Sequence, residues 1–88
     1  MIDVEWKPSA RDQFLDIWEA AEEVELPQLE AAVQGLLRDL MADPLEVGES
    51  RGGSRRVAVR PPLTVYFAVL DDGRRVRIVR VSRPRREG

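Results

Sequence analysis

The sequence contains no cysteine and no histidine among its 88 residues. Without cysteine the chain cannot form disulfides or thiolate metal sites, and without histidine it lacks the imidazole that most often serves as metal ligand or general base. Any chemistry must therefore come from other side chains. We expect a protein that works without a metal or another cofactor.

Long hydrophobic segments are also missing. No apolar run approaches the roughly 20 residues that a membrane-spanning helix requires. The chain begins Met-Ile-Asp-Val-Glu rather than with the basic and then apolar leader of a secreted protein. These absences predict a cytoplasmic protein with no membrane partner.

Lysine is nearly absent, since Lys7 is the only lysine among 14 basic residues, and the arginines are unevenly placed. Residues 1–50 hold 3 basic and 13 acidic residues, whereas residues 51–88 hold 11 basic and 3 acidic ones. Arginine favours bidentate contacts with phosphate or carboxylate. The asymmetry therefore has two explanations: the acidic half neutralises the basic half within the fold, or the basic half binds an anionic partner.

The apolar content is sufficient for one core. Of all residues, 43% are hydrophobic and 34% are charged, which is the range of an ordinary globular domain. A chain of this length is too short for two domains and buries only about 60–65% of its unfolded surface. We therefore predict a single domain over residues 1–88, of modest stability, that ends in a basic tail at about residues 83–88.

Hydrophobic periodicity divides the first half of the chain into a strand and two helices. Residues 2–6 alternate apolar and acidic side chains, which is typical of a half-buried strand at a sheet edge. Ser9, followed three positions later by Asp12, predicts a capping box at the start of a helix. A second apolar stripe at helical spacing follows Pro27 and should end before the Asp-Pro pair at 43–44, because proline disfavours helical geometry in the preceding residue.

The second half of the chain has the pattern of a sheet. Residues 46–54 show no period and hold three glycines, which predicts a mobile loop. Three β-type runs follow, at residues 55–60, 64–70 and 75–83. A proline pair and then Asp71-Asp72-Gly73, a strong hairpin signal, separate them. The expected fold class is α+β: an N-terminal strand, a two-helix hairpin and a three-stranded antiparallel meander (β-α-α-β-β-β), with the helices on one sheet face.

Four short sequence patterns accompany this order of elements. They are Val-Glu-Trp-x-Pro-x-Ala, Asp-Pro-Leu-x-x-Gly-Glu-Ser-Arg, Arg-Arg-Val and Pro-Leu-x-Val-x-Phe-x-Val. Over nearly the whole chain, the order and the patterns resemble the RelE/ParE-type toxin family. The resemblance implies the toxin of a type II toxin–antitoxin module of the plasmid-stabilisation kind, inhibited by a cognate antitoxin whose C-terminal segment wraps around it.

The resemblance implies different targets for the two branches of the family. RelE-like members cleave mRNA on the ribosome with a basic, tyrosine-containing sheet surface, whereas ParE-like members poison DNA gyrase without cutting RNA. The family's basic positions fall on Arg55, Arg56 and Arg60 of this chain. Thr64, however, stands where the nuclease branch has an arginine, and Arg-Arg-Glu-Gly at residues 85–88 replaces its C-terminal tyrosine.

The candidate catalytic residues are Arg55, Arg56, Arg60 and Arg80. Their guanidinium groups can stabilise charge on a phosphate, but they hold their protons too tightly at neutral pH to transfer them well. Tyr66, the only tyrosine, lies in the most apolar strand, and we expect it to pack in the core. Trp6 and Trp18 lie on the apolar sides of their elements and are also expected in the core.

The candidate binding residues are Arg56, Arg60, Arg77, Arg80, Arg83, Arg85 and Arg86. Arg56 and Arg60 share one face of their strand, and a basic floor results if Arg80 lies on the same face. The alternative is a solvated outer surface with weak ion pairs. We hypothesise a toxin that acts by binding its target, which is DNA gyrase or the ribosome with mRNA. A ribosome-dependent mRNA endoribonuclease and a non-toxic binding module are the alternatives.

Overall fold

The computed structural model describes residues 1–84, which form a five-stranded sheet and two helices. The strands are β1 (Asp3–Trp6), β2 (Glu49–Ser50), β3 (Arg55–Arg60), β4 (Leu63–Leu70) and β5 (Arg75–Ser82), and the helices are α1 (Pro8–Ala20) and α2 (Leu26–Ala42). The expected α+β class is confirmed. Within these residues no helix is long and apolar enough to cross a membrane.

The sheet has the strand order β1-β5-β4-β3-β2. Strands β2 to β5 pair antiparallel with their neighbours, as expected for a meander, and β1 pairs parallel with β5. The N-terminal strand therefore lies at a sheet edge, as the alternating pattern predicts. It also places the acidic N-terminal residues beside the basic residues of β5.

Helix α1 begins at Pro8 rather than after a Ser9 cap. Lys7 is the N-cap residue and makes no side-chain capping hydrogen bond. Proline is favoured at the first helical position because its fixed φ suits the helix and its missing N–H would be unpaired there anyway. The predicted capping box at Ser9 is therefore wrong, and a capping box is found instead between Glu22 and Glu25.

Helix α2 ends where the Asp-Pro pair predicts. Its last residue is Ala42, and Asp43 follows in an extended conformation. The Asp43 carboxylate accepts a hydrogen bond from the Leu45 N–H at 3.2 Å, which starts the short turn Pro44–Glu46. The Asp43-Pro44 pair therefore ends the helix and begins the turn that follows it.

Residues 47–50 pack against β3, so the prediction of a mobile loop over 46–54 is wrong for this part. Val47 is buried, and strand β2 pairs with β3. Gly48 has a φ of +69°, and a Cβ at this position would lie 2.1 Å from the carbonyl oxygen of Val57. Only glycine permits this approach of the two backbones.

The core lies between the helices and one face of the sheet. On β4, alternate residues point into it, and Leu63, Val65 and Phe67 are almost fully buried. The other core residues are Ala10, Leu29, Leu36, Leu40, Val47, Ala58, Val76, Ile78 and Val81. The expectation for the tryptophans is confirmed in part, since Trp6 and Trp18 are half-buried against this core and both contact the Phe14 ring.

A β-bulge changes the face on which Arg80 lies. Tyr66 pairs with Arg80, whereas the next residue of β4, Phe67, pairs with Ile78, so that Val79 is an extra residue on β5. One extra residue reverses the alternation of side chains beyond it. A strict period of two predicts that Arg80 shares a face with Ile78. Because of the bulge, the two side chains lie on opposite faces of the sheet.

Candidate binding face

The helices cover one face of the sheet, and we call the opposite one the open face. Its central side chains come from four strands and form cross-strand rows. They are Glu5 on β1, Arg77 and Arg80 on β5, Tyr66 and Ala68 on β4, and Arg55 and Val57 on β3. Cross-strand partners lie side by side on the same face, so this register brings three arginines and the tyrosine together.

The first row consists of Arg55, Ala68 and Arg77. Ala68 lies on the central strand and pairs with Arg55 on one side and Arg77 on the other. The long side chains of Arg55 and Arg77, on either side of Ala68, border a groove of about 400 Å³. The groove is lined by Glu5, Trp6, Lys7, Pro8, Arg55, Arg77 and Val79.

The arginines of this row differ in their electrostatic partners. Arg77 Nε donates to Glu5 Oε1 at 2.9 Å. Arg55 is exposed, and its guanidinium has no hydrogen bond or ion pair to another residue of the described range 1–84. Arg55 is therefore the more available of the two cations for an external anion.

Glu5 lies on the edge strand β1, next to Arg77 of this row, and its carboxylate accepts hydrogen bonds from two arginines. The same oxygen, Oε1, also accepts a hydrogen bond from Arg75 Nη2 at 3.0 Å. These hydrogen bonds from Arg75 and Arg77 hold the pKa of Glu5 below its usual value of 4.5. The Glu5 carboxylate in turn raises the pKa of Arg75, and so does Asp71, which lies 3.3 Å away from the same guanidinium.

The second row consists of Val57, Tyr66 and Arg80. The guanidinium carbon of Arg80 lies 5.4 Å from the centroid of the Tyr66 ring, within cation–π range. The expectation that Tyr66 packs in the core is therefore wrong. Phe67 and its alternate neighbours occupy the core side of β4, so the parity of the strand places Tyr66 on the open face, where it is half-buried.

Arg56 and Arg60 lie on the helix side of β3 and do not join Arg80. Arg56 Nε donates to the carbonyl oxygen of Val47 at 2.9 Å, and its Nη2 donates to that of Gly48 at 3.2 Å. Arg60 Nη1 contacts Asp39 Oδ2 on α2 at 2.7 Å. The predicted basic floor shared by Arg56, Arg60 and Arg80 is therefore wrong, because the two strands present these residues on opposite faces.

The remaining candidate arginines lie beyond the open face or outside the described residues. Arg83, just after β5, forms an ion pair with Glu25 next to the helical hairpin. Arg85 and Arg86 are outside the described range. The charge asymmetry of the sequence is thus partly neutralised inside the fold, through pairs that join the acidic half to the basic half.

The central side chains of the open face that can take part in chemistry are its arginines, the Glu5 carboxylate and the Tyr66 phenol. Among residues 1–84, no group of three or more acidic side chains is arranged to hold a metal ion. Guanidinium groups bind carboxylates and phosphates through several N–H donors, whereas proton transfer at neutral pH requires a different group. Tyr66, beside Arg80, supplies the phenol hydroxyl of this face.

Comparison with known proteins identifies the fold. No family model matches the sequence, and no curated protein sequence matches it either. Solved structures do match. The RelBE2 toxin–antitoxin complex of Mycobacterium tuberculosis is 22% identical, with a TM-score of 0.70 over 93% of this chain and 90% of that one.

Two further structures support the same relationship. The chromosomal ParDE system of Pseudomonas aeruginosa is 18% identical, with a TM-score of 0.63 over 94% of this chain and 96% of that one. The isolated RelE toxin of Escherichia coli is 18% identical, with a TM-score of 0.62 over 99% of this chain and 88% of that one. The protein therefore has the RelE/ParE-type toxin fold, which confirms the resemblance inferred from the sequence patterns at the level of the fold.

Proposed function

We propose that this protein is the toxin of a type II toxin–antitoxin module, that it works in the cytoplasm, and that it inhibits growth by binding its target through the open face. The RelE/ParE-type fold supports the toxin role, since the similar solved structures include a toxin–antitoxin complex and an isolated toxin. The binding mechanism rests on the arginines of this chain.

The observation that carries the proposal is the availability of Arg55 and Arg80. Among residues 1–84, neither has an acidic partner, whereas Arg56, Arg60 and Arg83 contact groups of the protein itself. Unpaired guanidinium groups on one face attract an anionic surface and fix it through directed hydrogen bonds. Arg55 and Arg80 are therefore the residues on which we expect target binding to depend.

Inhibition by an antitoxin follows from the same surface. A cognate antitoxin with an acidic segment would cover Arg55, Arg77 and Arg80 and so compete directly with the target. Charge complementarity of this kind accelerates association and selects the partner. The proposed partners are thus the antitoxin and one macromolecular target, either DNA gyrase or the ribosome with mRNA.

Induced expression tests the proposal. We expect growth to stop after induction of the wild-type chain, while transcripts remain intact and co-expression of a cognate antitoxin restores growth. Plasmid supercoiling measured in the same cells identifies a gyrase-type target. Unaffected growth at a confirmed soluble level would contradict the toxin role and favour the non-toxic binding module.

The second candidate function is a ribosome-dependent mRNA endoribonuclease, and the position of Tyr66 favours it. The Tyr66 ring contacts the guanidinium of Arg80 on the open face, so a phenol that can exchange a proton lies beside a cation that can stabilise a phosphate. Under this function, mRNA is cleaved after induction, and Tyr66→Phe reduces cleavage about 100-fold or more. Intact transcripts during growth arrest would exclude it.

A further inference from the structure

Glu5 displays how a carboxylate is held at the edge of the open face. A single oxygen accepts hydrogen bonds from the guanidinium groups of Arg75 and Arg77. The side chains of all three residues remain accessible to solvent, with 45% of Glu5 and 46% of Arg77 exposed. This ion pair is therefore open to competition by an anion from outside.

The groove next to this ion pair has more positive than negative charge. Lys7, Arg55 and Arg77 line it, and Glu5 is its only acidic lining residue. Arg77 donates its Nε to Glu5, and within residues 1–84 its two Nη atoms make no hydrogen bond. An incoming carboxylate can therefore reach Arg55 and the Nη atoms of Arg77, but it must share Arg77 with Glu5.

The margins of the open face indicate which kind of anion fits. Asp3 and Glu5 lie along the β1 edge, and Glu49 lies on the opposite edge beside Val57. A nucleic acid strand carries a charge at every phosphate and would meet these acidic margins. A peptide can place one acidic side chain in the groove and apolar side chains against the lining residues Trp6, Pro8 and Val79.

We propose that the groove between Arg55 and Arg77 binds one carboxylate side chain of a protein partner, and that Glu5 lowers the affinity by competing for Arg77. The inference rests on the proposed function for the existence of such a partner. It adds the location of the contact, the chemical class of the contacting group and a residue that limits the affinity.

The test compares two substitutions that remove one negative charge each. Glu5→Gln keeps the size of the side chain and removes the competing charge, whereas Asp39→Asn removes the partner of Arg60 on the helix side. The probe is a fluorescein-labelled decapeptide of alternating glutamate and leucine. Its dissociation constant is measured by fluorescence anisotropy at about 20 mM salt, where surface charges are weakly screened.

We expect Glu5→Gln to bind the peptide about two- to five-fold more tightly than the wild type, the effect of one exposed charge pair. Asp39→Asn should change the dissociation constant less than two-fold. The double variant Glu5→Gln with Arg77→Gln should lose this gain in affinity, because Glu5 affects peptide binding only through Arg77.

Equal affinities of Glu5→Gln and Asp39→Asn, or no binding by any variant, would overturn the proposal. So would a larger gain for a labelled deca-uridylate than for the peptide, because the groove would then prefer phosphate. None of these results depends on growth arrest. The carboxylate site can therefore be disproved while the toxin role stands, and the toxin role can be disproved while the carboxylate site stands.

Discussion

The two faces of β3 give neighbouring arginines opposite roles. Arg56 points to the helix side and is tied to the carbonyl oxygens of Val47 and Gly48, whereas Arg55 points to the open face and contacts no acidic group within residues 1–84. The residue type is the same and the positions are adjacent. The comparison shows that the face on which an arginine lies decides whether its guanidinium bonds to the protein itself or remains available to a partner.

The largest expected difference between the two faces concerns adjacent aromatic residues of β4. Phe67 is fully buried, whereas Tyr66 is half-buried on the open face. Phe67→Ala should lower the free energy of unfolding by about 3–5 kcal/mol because it leaves a cavity. Tyr66→Ala should cost about 1 kcal/mol.

Urea unfolding followed by tryptophan fluorescence measures both values. If Phe67→Ala does not fold, Phe67→Leu provides the comparison, with an expected loss of about 1–2 kcal/mol. Similar losses for Tyr66→Ala and Phe67→Ala would contradict the assignment of the two faces.

A smaller difference is expected between the two neighbouring arginines. Arg56→Gln removes two hydrogen bonds that hold residues 47–48 on β3, and we expect a loss of about 1–2 kcal/mol in stability. Arg55→Gln should change stability by less than about 0.5 kcal/mol, as for an exposed residue without structural contacts. The same unfolding assay provides the measurement, and a greater loss for Arg55→Gln would reverse the proposed roles.

The ion pair between Arg60 and Asp39 should contribute still less. The two side chains are 32% and 46% exposed, so solvent screens the pair. A double-mutant cycle with Arg60→Gln and Asp39→Asn should give a coupling energy of about 0.2–1 kcal/mol. A coupling above about 2 kcal/mol would show that this pair is not an ordinary surface contact.

The smallest expected effect is the pH dependence that arises from Glu5. The pKa of Glu5 in the folded protein lies below the usual 4.5. Its ion pairs therefore stabilise the fold fully at pH values above about 4.5. The contribution is lost as the pH falls through the lowered pKa. NMR titration of the Glu5 carboxyl should show the low midpoint, and Arg75→Gln with Arg77→Gln should return it towards 4.5.

The sequence predicts the elements of the fold better than the composition of the candidate site. Alternation within β3 correctly places Arg56 and Arg60 on one face, and turn residues mark the ends of the strands. Periodicity gives the phase of side chains within a regular strand but does not predict a β-bulge. The bulge at Val79 lies in the same strand as Arg80, so the face of Arg80 was not predictable in this way.

Two other features of the site could not be predicted from the sequence. Strand β4 is apolar on both sides, so hydropathy alone gives no contrast between Tyr66 and Phe67. The contact between Glu5 and Arg75 joins residues that are 70 positions apart. Such a contact depends on the parallel pairing of β1 with β5, which no local pattern of the chain specifies.

We expect the open face, and not merely the number of positive charges in the chain, to carry the inhibitory activity. Two double variants that each remove two positive charges test it directly: Arg55→Gln with Arg80→Gln on the open face, and Arg11→Gln with Arg38→Gln on the helices. Growth is measured after induction at matched soluble protein levels. We predict that the open-face variant no longer arrests growth whereas the helix variant still does, and equal growth arrest by both would contradict the account.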